Sequence, residues 1–153
     1  MCTLIELQDQ QEFISRATNH ILKRILQLQA ESSTKIVKIG LSGGSTPGPI
    51  YSALATHNQQ HNQQQKLDWS RILLFLIDDR FVPQSHKDSN QLLVKTTILD
   101  KLAASDAAPT LVFPETTVEV DVKKCVQAYG KQLEEQVGNT ADIIILGMGP
   151  DGT

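Results

Sequence analysis

The sequence has few aromatic residues, two cysteines and no long hydrophobic run, and each shortage argues against a class of protein. Only 5% of its 153 residues are aromatic and no basic run occurs, which argues against nucleic-acid binding. Its longest apolar runs, such as Ile72 to Ile77, are far too short to cross a bilayer. Cys2 and Cys125 lack metal-type or redox-type spacing, so we expect a reduced, cytoplasmic protein that is not bound to a membrane.

The rest of the composition is typical of a globular protein. Hydrophobic residues make up 40% of the chain and charged residues 20%, with a formal net charge of -3. A chain of this length is expected to form one domain that buries about two thirds of its unfolded surface. Because no global positive field exists, an anion would have to be bound locally by a loop.

Hydrophobic patterns predict strands and helices in alternation along the chain. The predicted strands are a short edge strand over 3–7 and four further strands over 36–41, 72–77, 111–113 and 141–146. The predicted helices cover 9–30, a segment from Pro47 or Pro49 to Ala55, 90–103 after the cap Ser89, and 122–137. Segment 57–65, rich in Asn and Gln, is predicted to be a solvated loop rather than a metal-binding tract. This order indicates an α/β fold with a mostly parallel sheet and helices on both faces.

Three of the predicted strands run directly into loops of polar character. The loops are 42–47, which is Ser-Gly-Gly-Ser-Thr-Pro, then 78–80, which is Asp-Asp-Arg, and 147–152, which is Gly-Met-Gly-Pro-Asp-Gly. Ligands of open α/β sheets bind outside the carboxyl ends of the strands. The three loops are therefore expected at one edge of the sheet, where they suit a small anionic substrate.

The first loop has the composition of an anion site. Gly43 and Gly44 allow close backbone approach, Ser45 and Thr46 offer hydroxyls, and the following helix begins with free N–H groups. No lysine follows at the spacing of a Walker loop. The alternative is a tight turn capped by Ser or Thr, but two glycines flanked by three hydroxyl residues exceed what a turn requires, so we favour phosphate binding.

The second loop places two carboxylates and a guanidinium after a buried strand. On an extended segment Asp78 and Arg80 would face one way and Asp79 the other. Such a pair would orient a catalytic group or hold a substrate oxygen. The alternative is an ordinary surface ion pair, which contributes little.

The third loop matches the short pattern GxGxxG, which is typical of dinucleotide sites. Pro150 removes an N–H group from this loop and Asp151 would repel a pyrophosphate. A non-catalytic nucleotide-binding module therefore stays an alternative that rests on this match alone.

Together these motifs resemble the glucosamine-6-phosphate isomerase/6-phosphogluconolactonase family. The matching segments are 41–47, 78–83 followed by Ser89 and Asn90, and 146–152. The resemblance implies a Rossmann-like three-layer fold and hydrolysis of 6-phospho-D-glucono-1,5-lactone to 6-phosphogluconate in the oxidative pentose phosphate pathway, without a cofactor or a metal. A glucosamine-6-phosphate isomerase/deaminase activity is the alternative on the same scaffold.

The resemblance also implies the site residues. The implied catalytic residues are Asp78, Arg80 and Asp151, and the implied substrate-binding or phosphate-binding residues are Ser42, Gly43, Gly44, Ser45, Thr46, Asn90, Gly149 and Gly152.

The sequence departs from the family at two positions. Asp79 stands where the family usually has Glu, and Thr153 stands where the family has the histidine that acts as general base. A parallel strand needs a following helix to cover it, so we expect residues 1–153 to be a single lactonase domain that is incomplete at its C-terminal end. The resemblance also suggests fusion or partnership with a glucose-6-phosphate dehydrogenase.

Overall fold

The computed structural model describes residues 3–60, 65–117 and 121–147. Its main elements, in chain order, are α1 (Gln10–Glu31), β1 (Val37–Leu41), α2 (Pro47–Gln60), β2 (Ile72–Leu76), α3 (Asn90–Thr97), β3 (Thr110–Val112), α4 (Val122–Gln132) and β4 (Ile143–Ile144). Short 3-10 turns at Trp69–Arg71 and Leu99–Lys101 lead into β2 and out of α3, and a π-helical turn at Leu133–Val137 extends α4.

The four strands form one parallel sheet in the order β3-β2-β1-β4. β1 and β2 pair along their whole length, with Val37 opposite Ile72 and Leu41 opposite Leu76. The chain moves outward from β1 to β2 and β3, and then returns to place β4 on the other side of β1. This reversal leaves a crevice between the carboxyl ends of β1 and β4, where open α/β sheets bind their ligands.

Helices cover both faces of the sheet, as the sequence predicts. Alternate residues of β1 and β2, such as Ile39 and Leu74, pack with buried residues of α1, α2 and α3. Leu73 and Phe75 point to the opposite face, where they form a second cluster with Val112, Val137 and the partly buried Tyr129 of α4. The near-continuous burial of β2 follows from this two-sided covering.

Side-chain caps set the beginnings of the helices. The Asp9 carboxylate accepts the Glu12 N–H at 2.7 Å, and Ser89 Oγ accepts the Gln91 N–H at 3.1 Å. Of the two starts that the sequence allows, α2 begins at Pro47, and a proline at this first helical position loses no hydrogen bond.

Two predictions from the sequence are wrong, namely the edge strand over 3–7 and the loop at residues 57–60. Segment 3–7 forms no strand and joins neither the sheet nor the core, and its Leu4 is 90% exposed. Residues 57–60 are not a loop but the last turn of α2. Asn58 draws this polar segment into the fold, since its buried side chain exchanges hydrogen bonds with the backbone N–H and C=O of Leu67 at 2.8 and 2.9 Å.

Two other elements are shorter than predicted. α3 ends at Thr97, and after its C-cap Ile98 a 3-10 turn at Leu99–Lys101 replaces the predicted continuation of the helix. β4 comprises two residues rather than six, as an edge strand whose Ile144 is 56% exposed. Among the residues that the structure describes, no helix has the length and hydrophobicity needed to cross a membrane.

Candidate functional site

The first loop contacts Gly147, the one described residue of the third loop, at the carboxyl ends of β1 and β4. Ser42 directly follows β1, and its buried hydroxyl oxygen accepts the N–H of Gly147 at 3.2 Å. The Ser42 oxygen therefore joins the first loop to Gly147 as an acceptor, and this bond does not use the donor capacity of the hydroxyl. Ser45 and Thr46 are exposed, so their hydroxyls face solvent at this end of the sheet.

A tyrosine that sequence reasoning missed fixes the end of β1. The hydroxyl of Tyr51, in α2, donates to the carbonyl of Ser42 at 2.9 Å and accepts the Ser42 N–H at 3.2 Å. Burial raises the pKa of Tyr51 from 10.0 to about 12, so the hydroxyl stays protonated above the pH at which an ordinary tyrosine ionises. The sequence feature that could have indicated this role is the position of Tyr51 in the first turns of the helix that follows the glycine loop.

The two glycines of the first loop are required for different reasons. A Cβ on Gly43 would lie 1.8 Å from Oδ1 of Asn90, so the absence of a side chain lets α3 approach the loop. Gly44 has φ +107°, a conformation that L side chains rarely adopt, while the space around it is open. The loop thus has a shape that only glycine permits at these two positions.

Asn90 connects the first loop to the second. Its side-chain Nδ2 donates to the carbonyl of Asp78 at 2.9 Å and to the Asp78 carboxylate at 3.3 Å. The side chain is buried, and its Oδ1 lies over Gly43. Asp78, Asn90 and the glycine loop are therefore brought together at one place, while their implied roles in a shared site stay predictions.

The predicted pair of Asp78 with Arg80 is not formed. Neither side chain takes part in an ion pair within the part of the chain that the structure describes. β2 ends at Leu76, so the alternation of an extended strand does not govern positions 78 to 80. Asp79 instead accepts the backbone N–H of Arg80 at 2.8 Å, and the guanidinium of Arg80 is left exposed.

A polar cavity of about 300 Å³ lies beside the glycine loop. Its lining residues are Gly44, Arg80, Lys87, Asp88, Ser89, Asn90 and Leu93. Two cations and one carboxylate give the cavity lining a net positive charge, although the protein as a whole is acidic, and the size of the cavity suits a small ligand. Lys87 was missed by sequence reasoning, and its only signal is a lysine between Arg80 and the cap of α3.

No cluster of three or more His, Cys, Asp or Glu side chains that could hold a metal ion occurs within residues 3–60, 65–117 and 121–147. His86 lies in an exposed loop near Asp88, with Nδ1 3.7 Å from the carboxylate. Gly149, Asp151 and Gly152 lie outside the described residues, so their implied roles stay predictions.

Comparison with known proteins decides the family. Residues 8–152 match the family model described as glucosamine-6-phosphate isomerases/6-phosphogluconolactonase. The chain belongs to this family.

Two curated relatives illustrate the match in sequence. The chain is 34% identical over 152 residues to the 6-phosphogluconolactonase of Synechocystis, covering 95% of this chain and 58% of the relative. It is 33% identical over 124 residues to a probable 6-phosphogluconolactonase of Dictyostelium discoideum, covering 79% of this chain and 48% of that protein. The chain thus spans about half the length of the curated relatives it matches.

Solved structures agree with the fold. The 6-phosphogluconolactonase of Thermotoga maritima matches with a TM-score of 0.77 and 26% identity, over 96% of this chain and 60% of that one. A structure of a putative 6-phosphogluconolactonase from Neisseria gonorrhoeae gives the same TM-score and identity, over 100% of this chain and 60% of that one. This chain therefore has the Rossmann-like layered fold that the family resemblance implies.

Proposed function

We propose that the protein functions in the hydrolysis of 6-phospho-D-glucono-1,5-lactone to 6-phosphogluconate, a step of the oxidative pentose phosphate pathway. The observation that supports this proposal is the cavity that brings Arg80 and Lys87 beside Gly44, at the carboxyl ends of the strands. Cations and a constrained glycine loop at this position suit a sugar phosphate.

The proposed chemistry needs an anchor for the phosphate, a donor for the developing oxyanion and an activated water. The loop from Ser42 to Thr46, with Lys87, forms the proposed phosphate anchor. A phosphate held away from the reacting carbonyl supplies binding energy that orients the lactone. Arg80 is proposed to contact the substrate, and the exposed Asp78, whose carboxylate accepts a hydrogen bond from Asn90 Nδ2, keeps its proposed catalytic role.

The general base is assigned to no residue of this sequence. The family has a histidine after the Asp-Gly dipeptide, where this sequence has Thr153 after Gly152. We therefore expect the 153-residue chain to bind the sugar phosphate and to hydrolyse the lactone slowly. Asp151 keeps its proposed role of orienting such a base.

Binding is tested by calorimetric titration with 6-phosphogluconate, the stable product. Gluconate, which lacks the phosphate, is the matched control ligand, and NAD tests the alternative of a nucleotide-binding module. We expect binding of 6-phosphogluconate alone. Equal affinity for gluconate would remove the phosphate anchor from the proposal, and binding of NAD alone would favour the nucleotide module.

Hydrolysis is tested by following acid release from freshly prepared lactone, with the Synechocystis enzyme as positive control. We expect a slow rate for this chain, and a rise toward the range of about 10²–10⁴-fold that general bases contribute when Thr153→His supplies the family's residue. A rate equal to the positive control without that change would show that another residue is the base. Release of ammonia from glucosamine 6-phosphate would instead favour the isomerase/deaminase activity.

The cytoplasmic location and the partnership with a glucose-6-phosphate dehydrogenase are also proposals. A relative from Plasmodium falciparum supports the partnership, since it is a bifunctional glucose-6-phosphate 1-dehydrogenase/6-phosphogluconolactonase. This chain is 31% identical to that protein over 149 residues, and the match covers 15% of its length. Purification of the protein from its native source tests this proposal. If a glucose-6-phosphate dehydrogenase is found neither bound to the protein nor within the same polypeptide, the proposal is contradicted.

A further inference from the structure

We propose that Asp79 is the positioning residue that gives the anion-binding cavity its shape. The inference rests on the proposed function of that cavity. Asp79 does not line the cavity, but the residues it holds form two of its walls. Its carboxylate is only partly exposed and lies between the loop after β2 and the beginning of α3.

Three donors converge on this one carboxylate. Oδ1 accepts the backbone N–H of Asn90 at 2.7 Å and that of Arg80 at 2.8 Å. Oδ2 accepts Nε2 of Gln91 at 3.0 Å. The bond from the Asn90 N–H places a negative charge at the N-terminus of α3, which the helix dipole favours.

Gln91 extends the network to the loop after β3. Its buried amide nitrogen also lies within hydrogen-bonding distance of the carbonyl of Pro114 at 2.9 Å and of Oγ1 of Thr116 at 3.1 Å. Thr116 is itself buried. Oδ2 of Asp79 is thus tied through Gln91 to the interior of the protein, while Oδ1 holds the backbone of Arg80 at the edge of the cavity.

Asn90 carries the effect of Asp79 to the glycine loop. The same residue whose N–H is held by Asp79 places its side chain over Gly43 and donates to Asp78. Loss of the Asp79 carboxylate would therefore free the first turn of α3, which would move Asn90 against the glycine loop. Arg80 would at the same time lose the bond that fixes its backbone.

A charged side chain with two acceptor oxygens is needed for this arrangement. In Asp79→Asn one oxygen becomes an NH₂ group, which would meet either the two backbone N–H groups or Nε2 of Gln91, all of which are donors. Asp79→Glu keeps the charge and both oxygens on a chain one methylene longer. Bonds to an ionised acceptor are roughly twice as strong as neutral ones, so the asparagine also loses strength in the bonds that it keeps.

The experiment compares Asp79→Asn, Asp79→Glu and the matched control Asp100→Asn in the same chain. Asp100 is an exposed carboxylate near the end of α3 that binds Lys95 at 2.9 Å, away from the cavity. Affinity for 6-phosphogluconate is measured well below the midpoint of thermal unfolding of each variant. We expect Asp79→Asn to bind about tenfold more weakly, and Asp79→Glu and Asp100→Asn to stay within about threefold of the unchanged protein.

The amide NMR signals of Gly43 and Gly44 provide a second readout that needs no ligand. Asp79→Asn should shift both signals and speed their hydrogen exchange, whereas Asp100→Asn should not. If the unchanged protein fails to bind 6-phosphogluconate, the proposed function fails while this readout still tests the positioning role. Unchanged affinity in Asp79→Asn, or unchanged glycine signals, would overturn the inference, and so would an equal loss of affinity in Asp100→Asn.

Discussion

Adding one methyl group at Gly43 is expected to separate the glycine loop from α3. Gly43 does not have positive φ, so alanine fits its backbone and any effect must come from the space around it. That space is filled by Asn90, because an added Cβ would lie 1.8 Å from Oδ1 and 2.5 Å from Cγ. The Asn90 side chain would have to withdraw by roughly 1.5 Å or more to restore ordinary van der Waals contact.

The expected cost follows from what Asn90 would lose. Its withdrawal would break the two hydrogen bonds to Asp78, at 2.9 and 3.3 Å, each contributing about 0.5–1.5 kcal/mol. Overpacking adds about 1–3 kcal/mol where neighbours cannot relax. We therefore expect Gly43→Ala to lower the free energy of unfolding by about 2–6 kcal/mol, the sum of the two terms, and to weaken 6-phosphogluconate binding.

Urea unfolding of four variants tests this reasoning. Gly130→Ala is the control for the loss of a glycine, since a Cβ there meets nothing within 4 Å and a helical glycine replaced by alanine gains about 0.5–1 kcal/mol. Asn90→Ala removes the obstacle, and the double variant Gly43→Ala/Asn90→Ala completes the cycle. In the Asn90→Ala background, Gly43→Ala should cost less than about 1 kcal/mol.

The reasoning would be refuted by a cost of Gly43→Ala that is the same with and without Asn90. It would equally fail if Gly43→Ala were as harmless as Gly130→Ala.

Three further predictions concern the same edge of the sheet. Arg80→Lys keeps a charge but loses the planar guanidinium, so it should weaken 6-phosphogluconate binding in calorimetry, and unchanged affinity would return Arg80 to an ordinary surface cation. Gly44→Val should weaken the same binding, because a β-branched residue disfavours the backbone conformation at φ +107°. The space around Gly44 is open, so far-UV circular dichroism should stay largely unchanged. Unaltered binding would contradict the proposed phosphate anchor. The pKa of Tyr51 is raised from 10.0 to about 12 in the folded protein, so its contribution to stability is complete below about pH 10 and is lost as the pH rises toward 12. Urea unfolding between pH 9 and pH 12 should show a shallower decline for Tyr51→Phe, and identical slopes would contradict a buried, protonated hydroxyl.

Local pattern was sufficient to predict the sheet, most of the helices and the polar loops. The apolar run of β2 and the helical stripe of α1 are properties of neighbouring residues, and the structure confirms both. The same kind of reasoning failed for segment 3–7, which forms no strand, and for 57–60, where Asn58 bonds to Leu67 and extends α2. Propensity does not include such partners, because they lie elsewhere in the chain.

By itself, the sequence determined that this is an α/β protein and which loops follow its strands, because hydrophobic periodicity and glycine content act over a few residues. Only the tertiary structure decided how those loops meet. Ser42 binds Gly147, 105 positions away, because β1 and β4 are neighbours in the sheet. The approach of α3 to the loop after β2 gave Asp79 two of its three donors, from Asn90 and Gln91, while the third is the N–H of its neighbour Arg80. The turn in that loop left Arg80 without the pairing to Asp78 that an extended chain would favour.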